Sequence, residues 1–393
     1  MKIIAVNAGS SSLKFQLFEM PSEEVITQGL VERIGEENAV FNIRVNGEKI
    51  STTAPIKDHK IAVGMLLDAL TEHKIIDTLD EIKGVGHRVV QGGEKFLQST
   101  LINDEVVAEL VKLNPLAPLH NPANITGINS FRKALPNVSQ VAVFDTTFHT
   151  TMPRENFMYA TPYEWYEKYG VRKYGFHGVS HQYVSERAIE LLGKKETKII
   201  VLHLGNGASI TAVVNGKSVD TTMGLTPLEG IPMGTRSGNI DPAILGLIKA
   251  EEGKDLTELL NILNKQSGYL GVSGKFIDNR DLVEEADKGC DRCRLALDIQ
   301  VKRIVDYIGS YYVLMGGLDA MVFTAGIGEN SWEMREMITN KLEVLGVKVS
   351  EKLNKTRGQV EINTPDSKVK VYAIKTDEEV MIAREVIRIT KLI

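Results

Sequence analysis

The strongest constraint on the fold is a pattern that occurs twice, about half a chain apart. Ile3-Ile4-Ala5-Val6-Asn7-Ala8-Gly9-Ser10-Ser11-Ser12 resembles Ile199-Ile200-Val201-Leu202-His203-Leu204-Gly205-Asn206-Gly207-Ala208. Each reads as an apolar strand, a polar residue, a glycine-rich turn and a second apolar strand, over 13–18 and 209–214. Two such hairpins half a chain apart predict a duplicated domain with a cleft between the halves. Further runs of β-branched and apolar residues predict strands at 85–90, 138–144, 319–324 and 369–374. They alternate with helical periodicity at 59–73, 104–113, 121–134, 180–192, 241–251, 291–315 and 376–390, which makes the chain an α/β protein. The segment 25–54 reads as short β runs, split at Gly35-Glu36-Glu37-Asn38 and at Asn46-Gly47, the latter a hairpin signal.

Composition excludes several classes. With 43% hydrophobic and 25% charged residues the chain is globular and not disordered. Its net charge of -5 lacks the basic excess of a nucleic-acid binder. No apolar run approaches the ~18 residues of a membrane span. Met1–Val6 is too short for a signal-peptide core, so the expected location is the cytoplasm. Two cysteines exclude a disulfide scaffold. Cys290-Asp291-Arg292-Cys293 lies within a helical pattern and has no second pair, which argues against a metal or redox site.

Three glycine turns could cradle phosphate, because small residues let backbone N–H groups approach an anion closely. The first is Gly9-Ser10-Ser11-Ser12, with Lys14 beside it, and the second is Gly205-Asn206-Gly207-Ala208. The third, Gly326-Ile327-Gly328-Glu329-Asn330, follows strand 319–324 and is expected to precede a helix starting near 331. Together they point to a polyphosphate ligand. Gly216-Lys217-Ser218 resembles the end of a Walker A loop, but Thr211 replaces the required earlier glycine. Ser331 replaces the third glycine of a dinucleotide fingerprint.

Charged residues stand in unusual surroundings. Arg88 ends a strand before the loose turn Gln91-Gly92-Gly93, and Arg236 lies between Gly234 and Gly238, where the glycines would leave its guanidinium uncrowded. A guanidinium suits a carboxylate or a transferring phosphoryl group. Asp145 ends strand 138–144, where ligands of α/β folds gather. It could hold a magnesium-bound water, orient an arginine or act as a base. His120, between Leu119 and Asn121, and His177, between Phe176 and Gly178, are further candidates. Thr376-Asp377-Glu378-Glu379 reads as a capping box with Thr376 as cap and Glu379 reaching back, which leaves Glu378 free to face a metal.

These segments, in this order along the chain, resemble the acetate kinase family. The resemblance rests on Asn7–Lys14, His177-Gly178-Val179-Ser180-His181, His203–Gly207, Met233-Gly234-Thr235-Arg236-Ser237-Gly238-Asn239-Ile240-Asp241-Pro242 and 326–330. The family belongs to the sugar kinase, Hsp70 and actin superfamily. The resemblance therefore implies two duplicated actin-like (ribonuclease H-like) α/β domains with the nucleotide in the cleft between them. One would span 1–150, completed by a C-terminal helix over 377–393, and the other 151–376. It implies reversible transfer of phosphate from ATP to acetate, with Mg²⁺, or Mn²⁺ in its place, as cofactor, in a homodimer. Carried over by position, Asn7 and Glu378 would hold the metal. Lys14, His203, Leu204, Gly205, Asn206, Gly207, Asp278, Asn279, Arg280, Gly326, Ile327, Gly328, Glu329 and Asn330 would bind ATP. Arg88 would bind the acetate carboxylate, in a pocket of Val90, Leu119, Phe176 and Pro227. His177 and Arg236 would stabilise the moving phosphoryl group, and Asp145 would be the catalytic acidic residue.

Acetate is already ionised at neutral pH, since carboxylic acids titrate near ~4. No base is required, so Asp145 is expected to organise Arg88 or a metal-bound water, with direct in-line transfer. A propionate kinase is the alternative, against which Val90, standing in place of alanine, favours the smaller acid. A sugar kinase would need a base for its hydroxyl nucleophile. An actin-like or Hsp70-like ATPase would have no use for Arg88 and Arg236.

Overall fold

The structure, a computed structural model, describes residues 1–358 and 360–392. The chain divides into two compact units. Met1–Thr147 with the segment from Asp377 onward forms the first, and Phe148–Thr376 the second.

The first unit is built on a sheet of β1 (Lys2–Ala8), β2 (Ser12–Glu19), β3 (Glu24–Glu32), β4 (Ala39–Val45), β5 (Glu48–Ala54), β6 (Ile82–Val89), β7 (Thr100–Leu101) and β8 (Ser139–Phe144). The order is β5-β4-β3-β2-β1-β6-β8-β7. β1 to β5 form an antiparallel meander, while β6 and β8 run parallel to β1. The Asn46-Gly47 signal is borne out: both residues have positive φ, 51° and 86°, at the β4–β5 turn. On one sheet face Ile4, Val6, Leu13, Phe15 and Leu17 form a core with Ala62, Val63, Leu66 and Leu70 of helix His59–Glu72 and Phe131 of helix Asn121–Ala134. Helix Glu378–Thr390 packs on β1, β6 and β8. The expected helix 377–393 thus begins one residue later, and Ile393 lies outside the described residues.

The second unit repeats the plan on β9 (Lys198–Leu204), β10 (Ala208–Val214), β11 (Lys217–Thr221), β12 (Ala320–Thr324) and β13 (Lys370–Ala373), in the order β11-β10-β9-β12-β13. β9 to β11 are antiparallel and β12 and β13 parallel to β9. That is the order and sense of β3-β2-β1-β6-β8, so the expected duplication is present in the topology. The two glycine hairpins differ by one residue. Ala8 pairs with Leu13 across a four-residue loop, and Leu204 with Ala208 across a three-residue loop. Val184 and Ala188 of helix Gly178–Leu192 pack on Ile199, Val201 and Val322. The alternate residues of β9 and β10 face helix Asp291–Met315. Gly216-Lys217-Ser218 is not a phosphate loop. Asn215 and Gly216, with φ of 51° and 77°, make the β10–β11 turn, and Lys217 and Ser218 begin β11.

Candidate active site

In the first unit the site follows from two rows of residues that keep step. Side chains alternate along a strand, so Gly84, Gly86 and Arg88 share one face of β6. On the C-terminal helix, Glu378, Ile382 and Val386 are spaced by four and share a face. Four helical residues advance ~6 Å and two strand residues ~6.6 Å, so the rows match. A Cβ on Gly84 would lie 2.5 Å from Val386 Cγ1, and one on Gly86 would overlap Ile382 Cγ2. The two glycines let the helix lie down, and the third pair of the row is charged. Arg88 Nε is 3.6 Å from Glu378 Oε2.

Asp145 follows β8 directly, and its N–H donates to Val89 O at 2.9 Å. Its buried carboxylate accepts from Arg88 Nε at 2.9 Å and from Nη2 at 2.6 Å. Of the three options open in the sequence, orientation of an arginine is the one the geometry displays. Lys14 pairs with Glu379 and stands opposite Asn7 in the β1–β2 register. Three carboxylates thus meet two cations. Burial, then the nearby Asp145 and Glu379 carboxylates, push the Glu378 carboxyl up to about 7 against the pull of Arg88 and Lys14. Burial disfavours the Arg88 charge, but Asp145 and Glu378 outweigh it and its pKa is raised. Hard oxygen donors with an excess of negative charge suit a divalent cation. Among the described residues no three His, Cys, Asp or Glu form a ready-made cage, so such an ion would rely on few protein ligands.

The expected cap is corrected. Asp377, not Thr376, caps the C-terminal helix, accepting from Val380 N at 3.0 Å. Glu379 is turned to Lys14, and Glu378 is not free but faces Arg88.

Sequence reasoning missed two asparagines that hold the loop after β6. Asn124 donates to Ala8 O at 2.8 Å and accepts from Val90 N at 3.1 Å, joining the ends of β1 and β6. Asn121 clasps the Gln91 backbone with two bonds of 3.1 Å. Their spacing of three on a helix opened by Pro122 is the signal that was available. His120 stands just before that helix. Val90, the first residue of that loop, is buried, and Leu119 is exposed. The other two expected pocket residues, Phe176 and Pro227, belong to the second unit, where Phe176 is buried.

In the second unit the Gly205-Asn206-Gly207 turn is a hub. A Cβ on Gly207 would lie 3.4 Å from both Cε1 and Nε2 of His177 and 3.6 Å from Arg236 Nη1. A Cβ on Gly205 would lie 3.7 Å from the Ala325 Cβ. Gly234 N donates to Asn206 O at 3.4 Å, and a Cβ on Gly234 would lie 3.1 Å from Ile277 O, next to Asp278. The structure therefore brings His177, 205–207, 234–236, 277–278 and 325 together in one unit. Arg236 donates to Pro227 O at 3.2 Å, and burial lowers its pKa. Gly234 and Gly238 do not serve to uncrowd it. Gly238 has φ 66° and would press a Cβ to 2.5 Å from Gly230 O, so both glycines let the loop backbone pack.

His177 is held at φ 56°, an unusual conformation for a residue with a side chain, at the start of helix Gly178–Leu192. Its ring stacks on His203 at 4.2 Å, and its Nδ1 is 2.9 Å from Ser209 Oγ. His203 Nδ1 meets Ser180 Oγ at 2.8 Å, and Ser180 Oγ meets Thr376 Oγ1 at 2.8 Å. The Thr376 N–H donates to Glu329 at 3.2 Å.

Gly326–Asn330 does precede a helix, Trp332–Thr339 capped by Ser331, and itself forms a short helical turn, Ala325–Asn330, entered through Ala325 at φ 63°. Buried Arg335 donates to its Gly328 and Glu329 carbonyls at 2.9 Å, satisfying its C-terminal end. Of 278–280, Asp278 and Arg280 pair with each other at the surface, while Asn279 is buried, donating to Tyr269 at 3.4 Å. Cys290 and Cys293 form a disulfide at the start of helix Asp291–Met315, a pairing that the lack of a second Cys pair did not suggest. No helix of the described residues is long and apolar enough to cross a membrane.

Comparison with known proteins places this arrangement. Over 390 residues the chain is 62% identical to an acetate kinase of Acholeplasma laidlawii, covering 99% of each. It superposes on the crystal structures of an acetate kinase from Porphyromonas gingivalis and a propionate kinase from Francisella tularensis. Each is 44% identical, with a TM-score of 0.94 and 99% of both chains covered. The sequence profile of the Acetokinase family matches residues 2–384. Both sheets, Arg88 with Asp145, Glu378 and Glu379, and the segments gathered around Gly207 fall inside that match, and the chain belongs to the acetokinase family.

Proposed function

We propose that the protein is an acetate kinase, moving the γ-phosphoryl group of ATP directly to acetate and back. The observation that carries this reading is Gly207. Where a side chain would begin, His177 and Arg236 converge instead, so hydrogen-bond donors surround a space with no side chain of its own. Phosphoryl transfer depends on positioning and charge neutralisation more than on covalent help, and those donors suit the equatorial oxygens of the moving group. The turn 205–207, with 278–280, 326–330 and Lys14, is the proposed ATP site.

Arg88 is the proposed acetate anchor. Asp145 fills its Nε–Nη2 edge, so acetate meets the remaining Nη1 side. Asp145 acts through Arg88 and takes no proton. Asn7 and Glu378 would hold Mg²⁺, which would neutralise phosphate charge when bound. Glu378→Gln is expected to raise the Mg²⁺ or Mn²⁺ concentration for half-maximal rate while circular dichroism stays unchanged, because the Asp377 cap remains. Ile244, Leu247, Leu256 and Leu260 expose an apolar patch on helices Ala243–Glu252 and Leu256–Lys265. We assign it to a homodimer, checked by the mass in solution.

The deciding experiment offers acetate, propionate and butyrate with ATP and Mg²⁺ and traps the acyl phosphate as its hydroxamate. Acetate is expected to give the highest kcat/KM. A higher value for propionate would make the chain a propionate kinase, and ATP turnover independent of any acid would overturn both readings.

A further inference from the structure

A single hydroxyl sits between two imidazoles. Ser209 Oγ lies 2.9 Å from His177 Nδ1 and 2.7 Å from His181 Nε2. A serine has one proton to give, so when it donates to one ring it must accept from the other. One of these two nitrogens therefore carries a hydrogen and the other does not. His181 breaks the tie. It is fully buried, and its Nδ1 has no hydrogen-bond partner among the described residues. If His177 Nδ1 carried the hydrogen, Ser209 would donate to His181 Nε2. The His181 proton would then sit on Nδ1, as a buried N–H with no acceptor. Orphaned buried N–H groups are rarer and less tolerated than orphaned acceptors.

We infer that Ser209 and His181 are positioning residues that fix the tautomer of His177, so that its ring presents an Nε2–H toward Gly207. In this arrangement His181 Nε2–H donates to Ser209, and Ser209 O–H donates to His177 Nδ1. The His177 hydrogen is then on Nε2, the atom 3.4 Å from the place where a Gly207 Cβ would lie. The same logic opposes a doubly protonated His177, since both its nitrogens would donate and the displaced serine proton would strand a hydrogen on His181. The groups around the pair agree. Arg236 approaches Gly207 from the loop, His203 stacks on His177, and His149 lies 5.7 Å from His181. Burial, together with His149 and His203, holds His181 well below the usual range, as a neutral relay requires. Ser209 and His203 are cross-strand partners in the β9–β10 hairpin, so one register places both the relay and the stacking ring.

The inference rests on the proposed role of His177 as a donor to the phosphoryl group, and the test separates the two. Full-length protein is labelled with imidazole-¹⁵N histidine, and the His177 signals are assigned by their loss in His177→Gln. At pH 7 the wild type is expected to show His177 as the neutral Nε2–H tautomer. Ser209→Ala is expected to shift it to a mixture with Nδ1–H, and Ser209→Thr, which keeps the hydroxyl, to restore it. In parallel, Ser209→Ala should lower kcat about tenfold with both KM values little changed, less than the 10²–10³ that follows loss of a whole donor, and Ser209→Thr should recover it. An Nδ1–H or imidazolium form in the wild type, or a tautomer indifferent to Ser209→Ala, would overturn the relay. A correct tautomer with full activity in His177→Gln would uphold the relay and sink the donor role.

Discussion

Arg236 and Arg88 carry the same charge in opposite settings, and their variants should fail differently. Arg236 has only a carbonyl and the Met233 sulfur for partners among the described residues. Arg236→Ala should therefore leave the fold intact and lower kcat by about 10³ or more, the scale of arginines that act on a transferring phosphoryl group. Lysine there keeps the charge but loses the planar fork and should rescue little. Arg88 is bound to buried Asp145, so Arg88→Ala should raise the acetate KM and also strand a carboxylate, at about 3–5 kcal/mol of stability. Steady-state kinetics beside urea titrations distinguish the two; an Arg236→Ala enzyme with normal kcat and a raised acetate KM would exchange the assignments. His87 is a different case. It is buried beside Gln140, at 2.9 Å, and burial pushes its pKa down to about 4 from 6.5. Its folded-state pKa is the lower one, so the unfolded chain binds the extra proton. Stability is then intact above pH 6.5 and falls as pH drops toward 4, by up to about 3 kcal/mol. His87→Gln should flatten that part of the stability–pH curve, as denaturation at pH 7 and pH 4.5 would reveal.

At the scale of elements, much of the molecule was readable because strands and helices announce themselves by period. The runs 3–6, 198–204 and 319–324 became β1, β9 and β12, and Asn46-Gly47 turned where its backbone preference requires. What was not readable depends on partners remote in sequence. Nothing local says that Asp377 rather than Thr376 caps the last helix; that choice follows from Thr376 being claimed by Ser180 and Glu329. Nothing local says that Gly84 and Gly86 are small because Val386 and Ile382 lie on them. Likewise Ser209 looks like any polar residue of a strand until the helix that carries His181, and that His177 precedes, is laid across it. The candidate residues were found by likeness to a family, but the hydrogen bonds that aim them were legible only in three dimensions. The matched rows give a direct test. Gly86→Ala should destabilise the first unit by about 1–3 kcal/mol through overpacking, and Ile382→Ala, destabilising alone, should relieve part of the damage when combined with it. Additive losses in a double-mutant cycle of thermal or urea unfolding would mean the contact is not what makes Gly86 small.

At the scale of the whole molecule, one plan of five strands is used twice, but the two copies are not assembled from the chain in the same way. The second unit is one continuous stretch, Phe148–Thr376, whereas the first is completed by residues from Asp377 onward. A chain truncated after Thr376 should keep protease-resistant fragments of the second unit while the first is digested, and a separately added 377–393 peptide should restore protection. Equal digestion of both units would contradict the division. The same layout sets an order of events during synthesis. The strands β1, β6 and β8 have left the ribosome by the time Phe144 appears, yet Ile382 and Val386, which lie on Gly86 and Gly84, are translated only after the whole second unit. The second unit can finish folding on the nascent chain; the first must wait, with an apolar sheet face open to chaperones. Arg88 gains its Glu378 neighbour only when that wait is over, so a nascent chain that stops short of Asp377 carries the arginine without the carboxylate that faces it.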